Sequence, residues 1–152
     1  MSDSRVRMGV VGAGSFGRNH LRVIAESQRA VLTAVVDIDG ERARQAAAQY
    51  GCQAFTDWRE LAGKVDAAVV ATPTVTHAST GCALLEAGID LLVEKPIAAD
   101  LADAEKLCRG ADSTDRVEVQ IPASGFLRRE LYLGSSRTVV TGDTTPRAAT
   151  LA

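Results

Sequence analysis

One stretch constrains the fold more than any other: Val6 to Gly17, "VRMGVVGAGSFG". A short valine-rich run enters Gly12-x-Gly14-x-x-Gly17, and the residues from Phe16 to Ser27 then place Leu21, Ile24 and Ala25 on one helical face. The next apolar run, Val31 to Val36, ends in Asp37, twenty residues after Gly17. A glycine triplet alone is a weak signal. Strand, glycine turn, helix, strand and acid in that order match the turn that cradles the pyrophosphate of a dinucleotide. Gly12 permits the tight turn, Gly14 lets the backbone approach a phosphate, and Gly17 lets helix and strand pack closely. Ser15 and Phe16 open the helix, whose first N–H groups and dipole favour an anion. Asp37 is suited to accept hydrogen bonds from both ribose hydroxyls and to repel a 2′-phosphate, which predicts NAD rather than NADP. The competing reading of Asp37 is a helix cap. Arg42 and Arg44 are near enough in sequence to restore some NADP binding.

Strand and helix keep alternating beyond that point. Glu41 to Tyr50 is alanine-rich and helical, Gln53 to Phe55 fits a short strand, and Asp57 is placed to cap a brief helix through Leu61. Ala67 to Ala71 and Ile89 to Val93 read as buried strands. Thr76 to Ala87 spaces Ala78, Cys82 and Leu85 helically; Leu101 to Cys108 does so with Leu101, Ala104 and Cys108, behind Asp100 as a candidate cap. Continuous apolar strands between amphipathic helices predict an α/β domain, a doubly wound parallel sheet of the Rossmann type covered on both faces. Ligands of such sheets bind beyond the carboxyl ends of the strands.

Composition narrows the partners. The chain is 46% hydrophobic and 24% charged with a formal net charge of −2, which gives no electrostatic case for nucleic acid or an anionic membrane. The start, "MSDSRVR", has no apolar signal core. Cys52, Cys82 and Cys108 with two histidines make no metal-ligand spacing. They read as reduced, buried thiols of a cytoplasmic protein, and no metal site is expected.

Two segments stand out just after strands. "ATPTVTH" follows the fourth strand and "VEKP" the fifth. With the glycine turn and "VVDID", these make the chain resemble the N-terminal domain of the glucose–fructose oxidoreductase/inositol dehydrogenase (Gfo/Idh/MocA) family over about Val6 to Cys108. The resemblance implies an NAD(P)-dependent oxidoreductase acting on sugars, cyclitols or related hydroxy compounds. It places Lys95 by the nicotinamide as the catalytic lysine, where an ammonium stabilises charge on the reacting oxygen. It gives Glu94 a role in holding the cofactor or orienting Lys95, and Pro96 the job of fixing the backbone, with a cis bond as one route. Thr72, Pro73 and Thr74 match the loop passing the cofactor. His77 matches a histidine on the nicotinamide side, with bonding to local backbone as the alternative. His20 reads as a packing residue.

The resemblance also implies a second α/β domain carrying the substrate pocket and a catalytic histidine. No histidine follows His77, and "VEVQIPASGFLRRE" departs from the family's continuation. The expectation is therefore a dinucleotide-binding domain over residues 1–121, a divergent, poorly ordered tail over 122–152, and an absent second domain. Arg116 to Ile121 reads as one more strand. The chain alone is expected to bind the dinucleotide with little turnover, taking a small polyol or sugar only if a second domain is supplied. The alternative is a stand-alone nucleotide-binding or sensing module acting through a partner; an uncovered edge strand would also favour self-association.

Overall fold

The structure is a computed structural model, and it describes residues 4–114, 118–120 and 138–140. Among the described residues, seven strands form one parallel sheet: β1 (Val6–Val11), β2 (Ala30–Val36), β3 (Gln53–Phe55), β4 (Ala67–Val70), β5 (Asp90–Val93), β6 (Glu118–Gln120) and β7 (Thr138–Val140). Their spatial order is β3-β2-β1-β4-β5-β6-β7. The helices are α1 (Ser15–Ala25), α2 (Gly40–Tyr50), α3 (His77–Glu86) and α4 (Leu101–Thr114). Short 3-10 turns cover Trp58–Leu61 and Thr74–Thr76. β6 lies within the stretch read as a sixth strand. β7 falls inside the segment expected to be a tail, whose other residues lie outside those described.

The strand pattern explains the layering. Successive side chains of a strand point to opposite faces. Val10, Val35 and Val69 join Leu21 and Ile24 of α1 and Ala46 and Ala47 of α2. Val11, Val36, Val70 and Val93 join Ala78, Leu84 and Leu85 of α3 and Leu107 and Ala111 of α4. Leu21, Leu61, Leu84, Leu85 and Leu107 are fully buried. Two helix faces differ from expectation. In α1 the buried stripe is Gly17, Leu21 and Ile24, with Ala25 exposed. In α4 it is Leu107 and Ala111, while Leu101 is 75% exposed. Neighbouring positions on an apolar helix differ by 100°, so composition alone leaves the facing stripe ambiguous by one residue.

The sheet reverses between β1 and β4. From β1 the chain builds outward to β2 and β3, then returns to β4 and builds the other way. That reversal opens a crevice beyond the carboxyl ends of β1 and β4, where the two crossovers leave in opposite directions. Backbone bonds carry the sheet past its formal ends into this crevice. Gly12 donates to the Val36 carbonyl at 2.7 Å, Ala71 to Val11 at 2.8 Å, and Glu94 to Val70 at 2.9 Å.

At the opposite end of the sheet, Asp66 ties β4 to β1. It accepts from the Arg7 backbone N–H at 2.8 Å and from Arg7 Nη2 at 2.6 Å. Hydrogen bonding to the Arg7 side chain, then to its backbone, holds the Asp66 carboxyl below its ordinary 3.8. The lowered folded value means the pair stabilises the fold above that pH, and the contribution is lost as pH falls through the depressed value. Both side chains are about half exposed, so solvent screening keeps the effect small. The gap in unfolding free energy between wild type and Asp66→Asn is expected to close on acidification below 3.8; a gap that persists in acid would contradict this origin.

Candidate nucleotide site at the carboxyl ends of the strands

The glycine turn is locked by sterics. Gly12 has φ +98°, in the left-handed region, and a Cβ there would sit 2.5 Å from the Ala71 carbonyl oxygen. A Cβ on Gly17 would overlap the Gly12 carbonyl oxygen, which is how α1 comes to lie directly against the turn. Gly14 is different: a Cβ there would meet no protein atom within 4 Å. Packing explains the first and third glycines and leaves the second one facing open space, as an approaching phosphate would require. The start of α1 has no side-chain cap and no acidic residue in its first turn. α3 also starts without a side-chain cap, whereas α2 is capped by Asp39, the Trp58–Leu61 turn by Asp57, and Asp100 accepts from Asp103 at the start of α4.

Asp37 is 6% exposed. Its Oδ2 accepts the Ala13 N–H at 2.8 Å and its Oδ1 accepts the Asp39 N–H at 2.9 Å. It therefore braces the glycine turn from the end of β2. The helix cap is Asp39, which accepts from the N–H groups of Glu41 and Arg42, so the capping reading of Asp37 is set aside. Those backbone bonds lower the Asp39 carboxyl from its ordinary value, the Arg42 bond contributing most.

On the other side of the crevice, the β4 turn and the β5 turn are joined through His77. Its imidazole is 1% exposed, with Nε2 2.8 Å from the Thr72 carbonyl oxygen and Nδ1 3.1 Å from the Pro96 carbonyl oxygen. Both ring nitrogens thus face backbone carbonyls, and the single N–H of a neutral ring donates to one of them. This is the local-backbone arrangement given above as the alternative, in which His77 bridges the two site loops. The Lys95–Pro96 peptide is cis. Thr76 Oγ1 donates to the Pro73 carbonyl at 2.7 Å. Its single proton is then used, so Thr72 is the donor in the 2.7 Å Thr72–Thr76 hydroxyl pair. Pro73 is exposed; Thr74, half-buried, opens the 3-10 turn.

Glu94 is 8% exposed and does not pair with the Lys95 ammonium. Its Oε2 accepts the Lys95 backbone N–H at 3.2 Å, and its Oε1 lies 2.6 Å from His20 Nε2. Lys95 Nζ instead sits 4.6 Å from the centroid of the Phe16 ring, a cation–π contact over the start of α1. His20 was expected to be a packing residue; here it is the partner of a buried carboxylate. The available signal was its place three residues after Gly17, on the face of α1 that meets the sheet. Replacing His20 with alanine leaves Glu94 with one hydrogen bond and is expected to cost about 1–3 kcal/mol, measurable by urea unfolding. His20→Gln, which can still donate, should recover part of it, and an unchanged midpoint in both variants would deny the pair a structural role.

Among the described residues no group of three His, Cys, Asp or Glu is placed to hold a metal ion. No helix among them is long and apolar enough to cross a membrane. Cys52, Cys82 and Cys108 are half-buried and outside any disulfide; burial raises the Cys52 thiol above its ordinary value.

A glycine turn on a parallel sheet with a buried acid after β2 defines a dinucleotide-binding Rossmann domain. The chain belongs to the Gfo/Idh/MocA oxidoreductase family, whose NAD-binding Rossmann model matches residues 6–121. It is 41% identical to inositol 2-dehydrogenase 4 of Saccharopolyspora erythraea over 133 residues, covering 85% of this chain and 38% of that protein. Among solved structures it resembles UDP-N-acetylglucosamine 3-dehydrogenase of Acidithiobacillus ferrooxidans, with TM-score 0.73, 34% identity, and coverage of 76% of this chain and 38% of the other. It also resembles the WlbA dehydrogenase of Bordetella pertussis, solved with NADH and UDP-GlcNAcA, with TM-score 0.74, 28% identity, and coverage of 77% and 37%. The chain thus spans less than two-fifths of the length of these relatives.

Proposed function

We propose that the domain holds NAD across the β1–β4 crevice, in preference to NADP, for oxidation or reduction of a sugar, cyclitol or related hydroxy compound. The observation that carries this reading is the Asp37 carboxylate, buried after β2 and bonded to the N–H of Ala13 inside the glycine turn. The same carboxylate that shapes the phosphate turn faces the ribose position, and a negative charge there opposes a 2′-phosphate. Gly12, Gly14 and the N–H groups of Ser15, Phe16 and Gly17 suit the pyrophosphate; Thr72, Pro73, Thr74, Glu94 and Pro96 line the nicotinamide side. When bound, the cofactor would supply the hydride acceptor as NAD or the hydride donor as NADH. The protein's own contribution is positional and electrostatic. Lys95 presents an ammonium that neutralises charge on the substrate oxygen, and its backbone is held by Glu94 and the His77 clamp. The two histidines are committed to Glu94 and to backbone carbonyls. The 152-residue polypeptide by itself is therefore expected to bind nucleotide with little turnover.

Calorimetric titration tests the reading. NAD should bind saturably and about tenfold or more tighter than NADP, since 1.4 kcal/mol of repulsion already gives that ratio. Equal or tighter NADP binding would remove the assignment to NAD, and no binding of either would remove the site.

A further inference from the structure

We propose that Arg42 is an internal competitor for the ribose position, and that it sets both the affinity for NAD and the margin over NADP. This rests on the reading of Asp37 as the ribose acceptor. Arg42 Nη1 lies 3.2 Å from Oδ1 and 3.3 Å from Oδ2 of Asp37. A carboxylate offers about four acceptor positions. Two are held by the Ala13 and Asp39 N–H groups, one on each oxygen. The guanidinium takes up the other two, again one on each oxygen. The two hydroxyls of a ribose need that same remaining pair. Nucleotide and Arg42 cannot both have it while the glycine turn stays braced.

The arrangement suits a displaceable group. The Asp37 side chain is 5% exposed and needs a partner in the free protein, whereas Arg42 is 43% exposed and has room to leave. A second acceptor waits beside it, Asp39 Oδ2 at 3.4 Å from Arg42 Nη2. Arg44 is already engaged by Glu41 at 2.9 Å and is not a comparable competitor. NAD therefore binds by exchanging hydroxyl donors for a guanidinium. A 2′-phosphate meets a different situation: the freed Arg42 is the cation nearest Asp37, and it offsets part of the repulsion from that carboxylate.

The test is titration of NAD and NADP into wild type, Arg42→Gln and Arg42→Lys, with thermal unfolding of each protein without nucleotide. Arg42→Gln is expected to bind NAD about three- to tenfold tighter, because one net hydrogen-bonded pair no longer has to be broken. Its NADP affinity should fall, so the NADP/NAD ratio of dissociation constants widens. Its nucleotide-free midpoint should drop by a few degrees as Asp37 loses its partner. Arg42→Lys keeps the charge but has no second nitrogen to reach Asp39 while one contacts Asp37, and should fall between. Weaker or unchanged NAD binding by Arg42→Gln, in a variant that still unfolds cooperatively, would overturn the proposal. Failure of wild type to bind either nucleotide would instead strike the assignment of the site itself.

Discussion

Replacing Gly17 with alanine is expected to cost the domain most of its stability. The added Cβ would overlap the Gly12 carbonyl oxygen. That obstacle is backbone, in a turn fixed by the Gly12–Val36 bond at 2.7 Å and by Asp37 on Ala13 at 2.8 Å. No flexible side chain is available to give way. Either α1 moves off β1, exposing Leu21 and Ile24, or the turn opens. A clash of this kind belongs to the class of substitutions that cost about 4 kcal/mol or more, against a total of about 5–15 kcal/mol for a typical domain. Urea unfolding should show a large fall in midpoint, or no cooperative transition. Gly14→Ala is the control, since its Cβ meets no protein atom within 4 Å. It should fold as wild type does and lose affinity for NAD. A Gly17→Ala protein of wild-type stability would mean that helix and turn are not packed this closely.

The second large effect is expected at Asp37. Asp37→Ala removes the acceptor for the Ala13 N–H, the acceptor for the Asp39 N–H and the partner of Arg42 in one step. A buried donor left without a partner costs about 1–3 kcal/mol, so the turn should loosen and the unfolding midpoint fall. Nucleotide binding suffers further. Two hydroxyl bonds to a charged acceptor, at about 1.5 kcal/mol or more each, correspond to about a hundredfold loss of NAD affinity. Asp37→Asn separates the contributions: it can keep one backbone acceptor but carries no charge, so it should lie closer to wild type in stability than in NAD affinity. NADP should be weakened much less than NAD by either change. A parallel loss of both nucleotides would show that Asp37 acts only through the shape of the turn.

Much of this was legible in the residues. The order of strand, glycine turn, helix, strand and acid is local, and each part follows from short-range rules. Asp57 and Asp100 cap the elements expected of them because capping is a contact two or three residues long. Lys95 and Thr72 fall at strand ends because an apolar run stopped by proline has few other readings. The buried faces of α1 and α4 were read less well. Alanine, cysteine and leucine on adjacent positions give a broad apolar arc, and packing against a particular strand picks the stripe.

The sequence by itself determined the element order, the glycine turn with Asp37 behind it, and the family to which the chain belongs. Periodicity and spacing suffice for the first two, because each is a relation between residues close along the chain; the family rests on the resemblance of the motifs at Asp37, Thr72–His77 and Glu94–Pro96. Only the tertiary structure decided which distant side chains meet. His20 reaches Glu94 across 74 positions, Lys95 rests over Phe16, and His77 clamps the turns after β4 and β5. These contacts exist because the strand order reverses at β1 and brings the ends of β1, β4 and β5 side by side. The pairing of Arg42 with Asp37 spans only five residues, yet it also needed the structure. A buried carboxylate has to find a partner, and whether that partner is a helix N–H, a neighbouring guanidinium or a ribose depends on where β2 ends relative to the glycine turn.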